Sequence, residues 1–161
     1  MAVISQLAHS AAETIRMDID ALIRGDLEQF RRSLAEYEQD DGKKYDLKKE
    51  KNAMLIACTH GHLNFVQYLM NSGCDANYCR DTDGCAALHL ASENGYASIV
   101  RFLLGNSRYG IGISASNGNG DTPLHLACIQ GHSKVVRELV NSQLCDLSAS
   151  NSEGNTPIHT A

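Results

Sequence analysis

Positive charge is in short supply. Fourteen basic residues stand against 19 acidic ones, a formal net charge of −5 over 161 residues. That balance removes the broad electrostatic attraction by which proteins hold nucleic acid or anionic membrane, so neither is expected as a partner. Long apolar runs are missing too, none approaching the roughly 20 residues of a membrane helix. The N-terminus MAVISQLAHSAAETIR has neither the basic start nor the unbroken apolar stretch of a secretory signal. Cysteines are present (Cys58, Cys74, Cys79, Cys85, Cys128, Cys145), but no C-x-x-C pair or zinc-finger spacing is, and no N-x-S/T glycosylation signal occurs. These absences fit a soluble protein in a reducing compartment, cytoplasmic or alternatively nuclear. Apolar content is 43%, enough to give a chain of this length one buried core.

The chain repeats itself. Segments MLIACTHGH (54–62), LHLASENGY (88–96) and LHLACIQGH (124–132) align without gaps, and IHTA (158–161) opens another copy. Ala57, Ala91, Ala127 and Ala161 mark steps of 34, 36 and 34 residues, Gly61, Gly95 and Gly131 repeat the first two, and Gly84, Gly120 and Gly154 precede Leu88, Leu124 and Ile158 by four. In TPLHLA (122–127) and TPIHTA (156–161) threonine suits a helix N-cap, and proline suits the first helical position, where its missing N–H costs nothing. A helix of about two turns follows and stops at the permissive backbone of Gly95 or Gly131. A second helix then carries apolar residues at helical spacing: Phe65, Val66, Leu69 and Met70; Ile99, Val100, Leu103 and Leu104; Val135, Val136, Leu139 and Val140. No unit can hide that stripe alone, so the units must stack. Between them NYCRDTDG (77–84), SASNGNG (114–120) and SASNSEG (148–154) read as tight turns or short hairpins projecting as a row of fingers.

This pattern resembles the ankyrin repeat. Its T-P-L-H-x-A hallmark is complete at Thr122–Ala127, nearly so at Thr156–Ala161, altered in its first two residues at 86–91, and without histidine at 52–57. The resemblance covers about residues 50 to 161 and implies an all-α solenoid of stacked helix-turn-helix units with short β-hairpin-like loops. The units are set at 50–83, 84–119 with a loop insertion near 105–110, 120–153, and 154–161 as the start of a truncated repeat. Residues 1–49 read as a capping helix and a degenerate first repeat, in which ALIRGDLEQFRRSL (21–34) lays Gly25 on Gly61 and Leu27 on Leu63. Gln29 and Ser33 replace Phe65 and Leu69, as expected where a terminal unit meets water. Ile4, Leu7, Ala11, Ile15 and Ile19 predict that the first helix extends upstream, and residues 38–51 read as a charged, solvated connection. The stop at Ala161, one turn into a helix, leads us to expect a fragment of a longer protein.

Chemistry-bearing residues fit structural roles better than catalytic ones. His89, His125 and His159 occupy one repeat position about 10 Å apart, too far to share a metal. The resemblance implies that they bond backbone and tie repeats together. His60 and His62 flank a helix-ending glycine, and His62 recurs as His132, so metal binding is not expected. Cys58 with Cys128, and Cys74 with Cys145, share repeat positions as small buried residues. Cys79 and Cys85 lie on or near a finger as candidate exposed thiols. Asp81 and Asp83 echo a calcium loop whose register puts Leu90 where the bidentate glutamate belongs. GIGISASNGNG (110–120) matches no phosphate loop, and the lysines at 43–51 are interrupted by Asp46 and Glu50. No catalytic, cofactor or metal residues are assigned.

The resemblance implies a protein-interaction module, a scaffold or adaptor, whose concave groove is walled by finger tips and by the exposed faces of the first helices. Candidate contacts on the fingers are Arg80, Asp81, Thr82, Asp83, Asn117, Asn119, Asn151, Ser152 and Glu153. On the helices they are Thr59, His60, Glu93, Asn94, Ile129 and Gln130. Their polar, slightly acidic character suits a basic or amide-rich segment. Ile129 replaces Thr59 and Glu93, either as a contact hot spot or as packing under the 105–110 insertion. The partner is a protein of unknown identity, and the open C-terminal end leaves self-association as an option. The alternative function is the regulatory or substrate-recruiting arm of a larger signalling enzyme, such as a kinase or ubiquitin ligase.

Overall fold

A computed structural model describes residues 18–41, 46–49, 51–78, 80, 82–106 and 111–161. Among them the architecture is all-α, with eight helices in sequence: α1 Ile19–Arg24, α2 Leu27–Asp41, α3 Lys51–His60, α4 Leu63–Asn71, α5 Ala87–Glu93, α6 Ala97–Gly105, α7 Pro123–Ile129 and α8 Ser133–Asn141. Short 3-10 turns lie at Leu47–Lys49 and Pro157–His159. The helices pair as consecutive hairpins. First helices stack as α1, α3, α5 and α7, with Pro157–His159 against α7, while α4, α6 and α8 form the second layer.

One backbone device closes each hairpin. The N–H following the helix-ending glycine reaches back to the repeat alanine: His62 to Ala57 (3.0 Å), Tyr96 to Ala91 (2.9 Å) and His132 to Ala127 (2.8 Å). Asp26 makes the same bond to Ala21 (2.9 Å), so α1 and α2 are joined by the same closure. This closure is the Schellman arrangement and needs a left-handed residue, supplied by Gly25, Gly61, Gly95 and Gly131 at φ of 69 to 79°.

The core runs between the two layers. Leu22, Phe30, Met54, Phe65, Leu69, Leu88, Leu90, Ile99, Leu103 and Leu139 are fully buried. Each such side chain contributes about 1.5–3 kcal/mol through removal from water. At the first interface Phe30 meets Phe65 edge-on at 5.2 Å and Tyr68 at 6.3 Å. Apolar exposure rises toward the other end, where Val140, Leu144, Leu147 and Ile158 are 40, 55, 56 and 80% exposed.

Three expectations need correction. Helix α1 starts at Ile19, because Asp18 has left helical geometry (ψ 76°) and caps the helix by accepting the Ala21 N–H at 2.8 Å. The upstream positions Ile4 to Ile15 lie outside the described residues. Gln29 and Ser33 do not simply face water: both are half-buried and donate to the Asp18 carboxylate at 3.3 and 3.2 Å. The charged connection is anchored, since Leu47 is buried and its carbonyl accepts a bond from the Cys74 thiol at 3.2 Å.

Candidate binding surface

The repeat histidines fix the frame on which the surface is built. In His125, Nδ1 accepts the Thr122 N–H at 3.1 Å while Nε2 donates to the Asn155 carbonyl at 2.9 Å, 30 residues on. His89 does the same, accepting from Ala86 at 3.2 Å and donating to Ala115 at 3.0 Å. Each imidazole therefore completes a helix cap and ties its helix to the next finger, with both nitrogens occupied. Burial pushes the His89 pKa below its usual 6.5, favouring the neutral ring this geometry requires. His159 is exposed and, among the described residues, its ring pairs only with Thr156.

A second row of ties is made by histidines to which the sequence analysis assigns no structural role. His62 Nε2 donates to the Ile23 carbonyl at 2.7 Å, and His132 Nε2 to the Glu93 carbonyl at 2.9 Å. Each ring lies on the glycine of the preceding hairpin, where an added Cβ would come within 2.6 Å of His62 or 2.8 Å of His132. Tyr96 fills the same place over Gly61. The recurrence of His62 as His132 is the signal in the sequence for this role. Among the described residues no three His, Cys, Asp or Glu side chains are placed to hold a metal ion.

The fingers are hydrogen-bonded turns rather than strands. Asn117 N–H bonds the Asp121 carbonyl and Asn151 N–H the Asn155 carbonyl, both at 2.9 Å, while Arg80 N–H bonds the Cys85 carbonyl at 3.0 Å. Neighbouring fingers are joined by Gly118 N–H to Asp83 O at 2.7 Å and Ser152 N–H to Asn119 O at 3.0 Å. Gly120, at φ 78°, shows why glycine recurs here: a Cβ would lie 2.7 Å from the Ser152 nitrogen.

Several candidate contacts are committed within the protein. Asn117 Oδ1 accepts from Asn119 and Asp121 backbone, and Asn151 Oδ1 from Glu153 and Asn155. Asn151 also donates to Asp121 Oδ1 at 2.9 Å, across to the neighbouring finger. Arg80 forms a two-pronged ion pair with Asp83, whose carboxylate also accepts the Cys85 N–H at 3.0 Å. The Arg80 bond holds the Asp83 carboxyl below the usual carboxylate range. Thr59 bonds the Leu55 carbonyl and Asn94 the Leu90 carbonyl. Glu153 accepts a 3.2 Å bond from Asn155. Asp81 lies outside the described residues.

The candidate positions form two rows. Thr82, Asn119 and Ser152 are exposed on the fingers. On the stacked first helices, Thr59, Glu93 and Ile129 share one register and His60, Asn94 and Gln130 the next. Glu93 is half-buried, and its charge acts on Arg80 and Cys85. Ile129 is 47% exposed.

Cys85 is a correction: rather than an exposed thiol it is buried, and burial pushes its pKa up to about 11. Cys58, fully buried, is pushed up to about 12. Neither is a thiolate near neutral pH. Cys79 lies outside the described residues. A separate hollow of about 660 Å³ lies behind α2, lined by Arg31, Leu34, Glu38, Leu47, Lys48 and Tyr68. No described helix is long and apolar enough to cross a membrane.

Comparison with known proteins agrees with this geometry. A family model described as ankyrin repeats (3 copies) matches residues 19–117 and 107–161, beginning where α1 begins. The chain is 35% identical over 91 residues to the mouse protein fem-1 homolog A-like, covering 56% of this chain and 13% of that protein. It is 36% identical over 70 residues to the Drosophila melanogaster ARF GTPase-activating protein Git, 44% of this chain and 9% of the relative. Human ankyrin repeat domain-containing protein 63 is 31% identical over 90 residues, 55% of this chain and 23% of the relative. The chain therefore spans less than a quarter of each relative's length. With a family match over most of its length and the four-hairpin stack beneath it, this chain belongs to the ankyrin-repeat family, whose fold is a protein-interaction module.

Proposed function

We propose that the chain is a scaffold or adaptor that binds a partner protein through the face made by the fingers and the ends of α3, α5 and α7, with no chemistry of its own. The observation that carries this reading is the split between the two kinds of residue on that face. Asn117, Asn151, Asp83 and the histidines are spent on rigidity, leaving Thr82, Glu93, Asn119, Ile129, Gln130 and Ser152 outward on a preorganised frame. Preorganisation lowers the entropy lost on association. An unpaired histidine base, the usual start of hydrolytic chemistry, is not offered by His89 or His125, because both ring nitrogens are bonded.

Photo-crosslinking tests the reading. A photoreactive amino acid at Gln130, on the groove, is expected to trap a discrete protein from cell extract, whereas one at Gln67, exposed on α4, is not. Equal trapping from both positions, or none at Gln130, overturns the assignment of this face. The proposed setting is the cytoplasm or nucleus, supported by the reduced thiols of Cys58, Cys85, Cys128 and Cys145. A second reading is favoured by how little of each relative the matched stretch occupies, one of them named as a GTPase-activating protein. In it, the repeats recruit a substrate or regulator to a larger signalling protein.

A further inference from the structure

The groove carries charge of nearly one sign. Among the described residues its acidic side chains are Asp83, Glu93 and Glu153, and its one lysine or arginine, Arg80, is held by Asp83. Arg80, Asp83 and Glu93 together leave one net negative charge, and the Glu93 carboxylate accepts no hydrogen bond from the described residues. One helix further along, in the same register, Ile129 presents an aliphatic side chain that is 47% exposed. Stacked helices lie about 8–10 Å apart. A polyproline-II segment repeats its face every three residues, roughly 9 Å along its axis. The two spacings coincide.

We propose that this groove selects an extended protein segment in polyproline-II conformation carrying a lysine or arginine and, three residues away, a leucine or isoleucine. The cation sits at Glu93, beside the Arg80–Asp83 pair, and the aliphatic side chain rests on Ile129. An ordinary β-strand fits less well, because its alternating side chains turn residues three apart to opposite faces. Acidity of the face disfavours nucleic acid and anionic lipid as occupants. The proposal rests on the binding reading above and adds the chemistry of the occupant.

Dye-labelled proline- and serine-rich peptides, each with one arginine and one leucine separated by two, three or four positions and made in both orders, provide the test by fluorescence anisotropy against the full chain. The three-residue spacing is expected to bind about tenfold more tightly than the other two, a difference of about 1.4 kcal/mol. Glu93→Gln should remove the preference for arginine over glutamine, and Glu93→Lys should reverse it toward glutamate. Ile129→Thr should remove the preference for leucine over serine while leaving the arginine preference. Both positions lie at helix ends, Glu93 half-buried and Ile129 exposed, and unchanged thermal midpoints would show that the fold is intact. Equal affinity at all three spacings, no saturable binding by any peptide, or an arginine preference that survives Glu93→Lys overturns the proposal. If Gln130 still crosslinks a protein in those cases, only the occupant is wrong; if it does not, the binding face is wrong too.

Discussion

The first hairpin, α1–α2, meets its neighbour through side chains: His62 on the Ile23 carbonyl, and Phe30 against Phe65 and Tyr68. The later hairpins share the histidine ties and add a second bond, finger backbone to finger backbone, at Gly118–Asp83 and Ser152–Asn119. Caps differ as well. Helix α7 closes with a Thr–His box, whereas α1 closes with Asp18 held by Gln29 and Ser33. In a repeat array each unit is stabilised only by those it touches. The comparison teaches that the first unit depends on packing, and the finger-bearing units on packing plus a polar lattice.

The largest break comes from the aromatic contact. Phe30→Ala should cost about 3–5 kcal/mol, as for other buried Phe truncations. If the comparison is right, hydrogen exchange will rise over residues 19–41 while 87–141 keep their protection. A uniform loss along the chain would mean that the two regions unfold as one.

His125→Ala probes the lattice. It leaves the buried Thr122 N–H without a partner and takes one of the two bonds from the Asn155 carbonyl, at about 1–3 kcal/mol for a buried unsatisfied group. Its counterpart His159→Ala, at an exposed site, should stay within about 0.5 kcal/mol. Urea unfolding of the two variants side by side measures the difference, and equal losses would remove the lattice from the account.

The same contrast decides what the sequence made legible. The later units announced themselves, because a Thr-Pro-x-His cap and a helix-ending glycine are local devices spelled by adjacent residues. The first unit was placed by Gly25 and Leu27, but its cap was not read, since Asp18 meets Gln29 and Ser33 only once α2 has folded back across 11 and 15 residues. Leu47 was lost among charges for a similar reason: nothing local says that its carbonyl will receive the Cys74 thiol, 27 residues away. On the binding face the residues were found, but their division into structural and outward-facing sets was not. Asn117 and Asn119 look alike in sequence; only the turn shows that the Asn117 carbonyl oxygen is filled by backbone N–H groups.

The smallest effect separates the two caps by pH. Asp18 has its pKa lowered from 3.8, first by the Ala21 N–H and then by Gln29 and Ser33. A carboxylate whose folded pKa is depressed stabilises the fold fully above its unfolded value, and that contribution is lost as pH falls through the folded value. Acid should therefore loosen α1 below about pH 3.8, with faster exchange of the Ala21 amide as the readout. The Thr122–His125 cap contains no carboxylate, so it lacks this source of acid sensitivity. Asp18→Ala removes the cap at every pH, at about 1 kcal/mol. Asp18→Asn keeps an oxygen for the Ala21 N–H and should cost little at neutral pH, while removing the acid dependence of that amide. Persistence of that dependence in Asp18→Asn would place the acid-sensitive group elsewhere and leave the first unit's cap no different in kind from the others.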